Sequence, residues 1–92
     1  MKTSVNELIL RRFRINYLAG KDGFVNSQKI QDIMHDITGH KHEYIGRQLR
    51  ILAERNLLDR KEMKIDNAKV ASVYYRYKPS DKEIISYNYK HQ

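Results

Sequence analysis

The sequence predicts an α+β domain with a three-helix core, followed by a β-hairpin and a segment that can form a short fourth helix. Three observations predict it: three segments with apolar residues at helical spacing, a change to strand-like composition after residue 56, and turn-forming residues between them. A chain of 92 residues is enough for one domain with one modest core. We expect that domain over residues 1–80, with residues 81–92 as a C-terminal tail.

The first predicted helix runs from about Val5 to Leu18. The preceding "SVNE" fits a capping box, in which Ser4 accepts from the first-turn backbone and Glu7 reaches back to the Ser4 amide. The apolar residues fall on two sides of this helix, a stripe of Val5, Ile9, Phe13 and Tyr17 and a flank of Leu8, Ile15 and Leu18. Either the core is wide enough to use both sides, or the flank contacts another copy of the chain.

A short strand and a second helix follow the turn "AGKDG". The apolar pair "FV" is typical of one short strand in a small sheet, and Asn26 or Ser27 can cap the helix after it. Gly39 ends that helix in a position that favours positive φ, and we expect His35 on its polar face to be solvated. The apolar face at i, i+3, i+4 and i+7 consists of Ile30, Ile33, Met34 and Ile37.

A third helix, at about residues 42–56, follows a connection that is too short for anything but a tight turn. The spacing of Ile45, Leu49 and Leu52 predicts that they point into the core. Asn56 tolerates the left-handed conformation at the helix end. On the side opposite the core lie Glu43, Arg47, Arg50 and Glu54.

The rest of the chain predicts a β-hairpin and a short helix. "LLDRKEMK" and "VASVYYRYK" are strand-like runs joined across "IDNA", with the tip near Asp66 and Asn67. Pro79 ends the second strand, and "SDKE" is another capping box, in which Ser80 and Glu83 open the final helix. Alternation along the second strand predicts core positions for Val73, Tyr75 and Tyr77.

Charge and composition limit the kinds of partner and the cellular location that we expect for the chain. Lys and Arg number 18 against 11 Asp and Glu, a net charge of +7, which favours an anionic partner. No segment approaches the roughly 20 apolar residues of a membrane span, and the N-terminus lacks the apolar region of a signal peptide. We expect no membrane association and a cytoplasmic or nucleoid-associated protein.

Catalytic and metal-binding patterns have little support. The chain has no cysteine, which excludes disulfides, thiolate metal sites and cysteine nucleophiles. It contains no glycine-rich phosphate loop and no nucleophile elbow. His40 and His42 flank a single residue, but no third ligand lies nearby in sequence. We therefore expect no enzyme activity, no cofactor and no metal site.

Two stretches resemble the winged helix-turn-helix family, whose order of elements is also similar. "IGRQLRILAERNLLDR", residues 45–60, resembles the family's third helix with its arginine and spaced apolar residues, although Asn56 stands where glycine is usual. "VYYRYKPS", residues 73–80, resembles the second strand of the wing, and the likeness spans roughly residues 4–80. The tail resembles small one-domain regulators that dimerise through terminal helices, including those of archaeal viruses and the multiple-antibiotic-resistance and arsenical-repressor groups.

The resemblance implies that the third helix lies in the DNA major groove and that the wing, at about residues 58–78, touches the backbone or minor groove. Arg47 and Arg50 are the expected base readers, because a planar guanidinium can engage the paired acceptors of guanine. The predicted DNA-binding residues are Lys41, His42, Tyr44, Arg47, Gln48, Arg50, Arg60, Lys61, Lys64 and Lys69. The predicted dimer interface consists of Leu8, Ile15, Leu18, Ile84, Ile85 and Tyr87.

The expected function is sequence-specific binding of double-stranded DNA by a homodimeric transcription regulator. One alternative is a winged-helix module that binds an acidic protein, and another is a replication-associated protein that binds DNA or single strands with little sequence dependence. Charges opposite a core seam are often only a solvated face, and Arg50 can pair with Glu54 at i, i+4. DNA binding and the protein-interaction module differ in whether Arg47 and Arg50 are free to project or are tied down by Glu43 and Glu54.

Overall fold

A computed structural model of the chain describes residues 4–64 and 70–90, with side chains as far as residue 86. Within these residues, four helices accompany one small antiparallel sheet with the strand order β1-β3-β2. The predicted α+β class is therefore confirmed. The elements are α1 (Val5–Leu18), β1 (Val25–Asn26), α2 (Ser27–Thr38), α3 (His42–Glu54), β2 (Leu58–Met63), β3 (Ser72–Tyr77) and α4 (Asp81–Lys90).

The helices α1 and α2 begin at residues with suitable capping chemistry, and α2 also ends at one. The Ser4 hydroxyl accepts from the Glu7 amide at 3.4 Å, and the Asn26 side chain accepts from the amide of Gln28 at 2.8 Å. Gly39 closes α2 with φ +77°. The third helix ends at Glu54, earlier than residue 56, because the chain must leave the helix before the left-handed Asn56, whose φ is +60°.

A single core joins the apolar faces of the three long helices and the sheet. The helix α3 is its centre, because α1, α2 and β2 all pack against it. The last turn of α2 contributes little, since Ile37 is 59% exposed. The buried residues are Val5, Ile9, Phe13, Tyr17, Ile30, Met34, Ile45, Leu49, Leu52, Leu58, Tyr75 and Tyr77.

The predicted hairpin is formed by β2 and β3, which pair from Leu58 opposite Tyr77 to Met63 opposite Ser72. Because side chains alternate along a strand, Arg60 shares the core-facing side of β2 with Leu58, and Lys61 lies on the other side. The predicted core side of β3 is confirmed, with Tyr75 and Tyr77 buried and Val73 packed against the core. The predicted tip, near Asp66 and Asn67, lies outside the described residues.

The helix α4 is attached to the domain through Glu83, whose side chain is 22% exposed. Its carboxylate accepts hydrogen bonds from the Tyr77 hydroxyl at 2.8 Å, from Arg14 Nε of α1 at 3.1 Å and from the Ser80 amide at 3.2 Å. The Ser80 hydroxyl in turn accepts from the Glu83 amide at 3.2 Å, which completes the predicted capping box. Burial raises the pKa of Glu83, but these hydrogen bonds outweigh it and hold that pKa below its usual value. Burial and the bond to Glu83 raise the pKa of Tyr77 to about 12.

Replacing Glu83 with glutamine should lower the free energy of unfolding by about 1 kcal/mol at neutral pH, because a neutral amide is a weaker acceptor than a carboxylate. The folded pKa of Glu83 lies below the unfolded value of about 4.3. Its contribution is therefore fully present above that value and is lost as the pH falls through the folded pKa. The free energies of unfolding of the wild-type and Glu83→Gln proteins should therefore converge at low pH. Urea unfolding near neutrality and near pH 3 measures this change.

The matched control is Asp81→Asn, which removes an exposed carboxylate from the same turn of α4. No described side chain forms an ion pair with Asp81, so this change should alter stability by only a few tenths of a kcal/mol. A loss in Glu83→Gln that stays constant between the two pH values would contradict the role assigned to the carboxylate.

Candidate nucleic-acid interface

The outer side of α3 is an exposed surface on a helix whose inner side is fixed in the core. At about 100° per residue, this outer side lies opposite the buried Ile45, Leu49 and Leu52. All of its members are exposed. We call this surface the α3 face, and it consists of Glu43, Arg47, Arg50 and Glu54.

The arginines of the α3 face are not held by other side chains. Among residues 4–64 and 70–90, neither Arg47 nor Arg50 forms an ion pair, and neither Glu43 nor Glu54 does so. The pairing of Arg50 with Glu54 that the spacing allows is therefore not formed. Both guanidinium groups remain available to a partner.

Arg50 also lines an open groove between α3 and β2. Arg60 of β2 and Lys78, just after β3, face the same groove from the side of the sheet. Towards the start of α3 the depression continues between Arg50 and Arg60 and reaches His42 and Gly46. We call this the α3–β2 groove. Its charged lining consists of three cations, Arg50, Arg60 and Lys78, and two carboxylates, Glu54 and Asp59.

The side chain of Arg60 is held in place within the α3–β2 groove. Its Nη2 donates to Glu62 Oε1 at 3.0 Å, and it lies beside Tyr75, its partner across the sheet. The Tyr75 hydroxyl and the Glu62 carboxylate raise the pKa of Arg60, while partial burial opposes them. Arg60 is therefore a fixed positive charge next to Arg50.

Lys61 lies on the opposite side of the sheet from Arg60 and is turned away from the α3–β2 groove. Its ammonium is 4.1 Å from the centroid of the Phe24 ring, and the guanidinium carbon of Arg76 is 4.7 Å from the same centroid. Such cation–π contacts keep both charges over the ring. Sequence reasoning missed Phe24, because the pair "FV" indicated only a short strand.

The turn between α2 and α3 is fixed by a cluster of ring and carboxylate side chains. His42 Nε2 lies 2.9 Å from Asp32 Oδ1, and the His42 ring stacks on His35 with 4.5 Å between centroids. His35 Nδ1 is 2.7 Å from the carbonyl oxygen of His40, whose ring stacks on Tyr44 at 4.8 Å. His35 is half-buried rather than fully solvated as expected, because the tight turn brings residues 40–42 against it. His42 is thus engaged with α2, and Tyr44 stays partly exposed.

The remaining predicted contacts are spread around the α3 face. Lys41 is exposed at the start of α3, Lys64 is exposed just after β2, and Gln48 is half-buried on the flank of α3. Lys69 lies outside the described residues. Sequence reasoning missed Lys78, although a lysine directly after a core strand is a signal of an exposed charge.

Four of the six predicted dimer residues expose apolar surface, and the other two do not support the prediction. Leu8 is half-buried against the core, so it offers less surface than expected, and the Tyr87 side chain lies outside the described part of the structure. The others expose apolar surface, with exposed fractions of 58%, 48%, 40% and 70% for Ile15, Leu18, Ile84 and Ile85.

In the described part of the chain, no group of three or more histidine, aspartate or glutamate residues could hold a metal ion. None of the helices described is both long and apolar enough to cross a membrane. Comparison of the chain with protein-family models, curated proteins and solved structures found no match. A functional assignment therefore depends on the geometry and chemistry of the chain's own residues.

Proposed function

We propose that the protein binds double-stranded DNA in a sequence-specific manner and is not an enzyme. In this proposal the fold is a winged helix-turn-helix, with α3 in the major groove and the β2–β3 hairpin on the adjacent backbone or minor groove. The observation that carries the proposal is the α3 face, where two arginines that pair with no described side chain project from a helix whose other side is buried.

The chemistry of the α3 face fits the edges of bases better than it fits phosphates alone. A major groove about 12 Å wide accepts one helix, and an arginine can bind the O6 and N7 of guanine with two hydrogen bonds. Arg47 and Arg50 are almost one helical turn apart, so they can reach neighbouring base pairs. Glu43 and Glu54 neutralise the net charge of this face and can accept from cytosine N4. A face with both signs of charge favours discrimination between bases.

Phosphate contacts would come from the cations around the α3 face. Arg60 and Lys78 line the α3–β2 groove, and Lys41 and Lys64 are exposed at the start of α3 and after β2. Contacts of this kind fix the register and orientation of a protein on the duplex without reading its sequence. The net charge of +7 supplies the electrostatic attraction between the protein and the DNA duplex.

We also infer that the protein acts as a homodimer that regulates transcription by occupying its site. The contact between Arg14 and Glu83 holds α4 beside α1, and both helices expose isoleucine or leucine side chains. Burying this apolar surface against a second copy would remove it from water. Two α3 helices related by a two-fold axis would enter successive major grooves about 34 Å apart.

Replacing Arg47 with alanine should cost about 1 to 3 kcal/mol of binding free energy on the specific site and little on unrelated duplex, as expected for a base contact. The measurement is a fluorescence anisotropy titration of both duplexes at one fixed salt concentration.

The matched control is Arg11→Ala, which removes the same charge from the side of α1 that is turned away from the core. It should weaken binding to both duplexes slightly and equally, since only long-range attraction is lost. Equal behaviour of the two variants would rule out α3 as the reading helix.

The two neighbouring cations of β2 should differ in their effect, because only Arg60 faces the α3–β2 groove. Arg60→Ala should make the dependence of log affinity on log salt shallower by about one unit, as expected when one phosphate contact is lost. Lys61→Ala should leave this slope unchanged. Titrations at several salt concentrations measure the slopes, and an equal reduction by both variants would contradict the assigned orientation of the hairpin.

Replacing Ile85 with glutamate should convert a dimer into a monomer, because the charge would have to be buried in the interface. Sedimentation velocity at tens of micromolar protein measures this change. The control is Ile37→Glu on α2, since Ile37 is 59% exposed but lies outside the predicted interface. A wild-type protein that sediments only as a monomer would refute the dimer, and dissociation by Ile37→Glu alone would place the interface elsewhere.

A further inference from the structure

A cavity of about 180 Å³ lies between α1 and α2, next to β1. Its polar lining is confined to Arg12 and Asn16 of α1 and Lys29 of α2. The apolar lining consists of Ile9, Phe13, Val25, Ile30, Ile33 and Met34.

The packing of the core explains why the cavity has fixed walls. Both α1 and α2 pack against α3, and the cavity lies between the two. Four of its apolar lining residues, Ile9, Phe13, Ile30 and Met34, are themselves buried members of the core. The cavity is therefore built from side chains that are already held in place, as in preformed ligand sites.

Two cations lie at the edge of this apolar cavity. Arg12 and Lys29 are both exposed, and neither forms an ion pair with any other described residue. No acidic residue of the described segments lines the cavity, and the half-buried Asn16 adds an amide that can donate a hydrogen bond. The arrangement joins an apolar interior to a positively charged edge.

We propose that this cavity binds a small amphiphilic carboxylate. An apolar cavity of about 150 Å³ holds benzene, so the observed volume accommodates an apolar body of about six or seven carbon atoms. The carboxylate then lies at the edge, where Arg12 and Lys29 provide complementary charge and charge-assisted hydrogen bonds. None of the lining residues belongs to the α3 face or the α3–β2 groove, so this site does not depend on the proposed DNA binding.

The ligand class is tested by three probes that share one five-carbon alkyl chain, hexanoate, 1-pentanol and pentylamine. Methyl NMR spectra of the full chain should show that hexanoate shifts the methyl signals of Ile30, Ile33 and Met34 and leaves Leu58 unchanged. Hexanoate should bind about fivefold more tightly than 1-pentanol, a modest factor because both cations are exposed. Pentylamine should bind more weakly than either. Lengthening butanoate to hexanoate should tighten binding about fourfold for each methylene.

The contribution of the charged edge is tested by the double substitution of Arg12→Gln with Lys29→Gln. The affinity for hexanoate should fall about fivefold, to that of 1-pentanol, whose own affinity should not change. The control pair, Arg11→Gln with Lys21→Gln, gives the same net charge with exposed residues that do not line the cavity. This control should leave the affinity for hexanoate almost unaltered.

The volume of the cavity is tested separately by Ile33→Phe, which should weaken the binding of both hexanoate and 1-pentanol by occupying the same space. The charge variants still test the proposed carboxylate site if the Ile33→Phe protein does not fold, because Arg12 and Lys29 are exposed and their substitution should not disturb the core. Equal affinities for hexanoate and 1-pentanol would overturn the carboxylate, and the absence of methyl shifts with every probe would overturn the site. An equal loss in the control pair would show that only the overall charge attracts the anion.

Discussion

The burial of one side of α3 is the constraint on which the rest of the structure depends. Ile45 and Leu49 are 0% exposed and Leu52 is 2% exposed, and α1, α2 and β2 all pack against this helix. Burial of each such side chain is worth about 1.5 to 3 kcal/mol, so rotation of α3 about its axis would cost a large part of the stability of a small domain. The orientation of the outer side is fixed as a result. Arg47 and Arg50 are therefore directed outwards by apolar packing, and they need no ion pair to hold them.

Polar contacts attach the outer parts of the fold to this apolar centre. Asp32 and His35 hold His42 and so fix the tight turn that leads into α3. Glu83 joins α4 to Tyr77 and to Arg14. The alternation of side chains in β2 then separates its cations, so that Arg60 faces Arg50 and Lys61 covers Phe24. The two cations of β2 are divided in this way between the α3–β2 groove and the other side of the sheet.

Local chemistry in the sequence predicts much of this arrangement. Ser4, Asn26 and Gly39 mark helix ends because capping depends on neighbours within a few residues. The hairpin follows from alternation, and the inner and outer sides of α3 follow from helical periodicity. The contacts of His42 with Asp32 and of Lys61 with Phe24 could not be predicted in this way, since they join separate elements whose relative placement depends on the whole core. The partial burial of His35 could not be predicted for the same reason. The cavity between α1 and α2 also has no sequence signal, because it depends on how two helices pack on a third.

The measurement that tests the central claim most directly is selection of bound duplexes from a random DNA pool by the purified protein, repeated at two salt concentrations. If α3 reads bases, a two-fold-related motif should be enriched, and its enrichment should persist at the higher salt. Salt weakens the phosphate contacts, which do not depend on sequence, whereas contacts to base edges still discriminate between sequences. No enriched motif, together with binding that disappears as salt rises, would contradict sequence-specific recognition. The positive charge of the chain would then attract an anionic partner that α3 does not recognise by sequence.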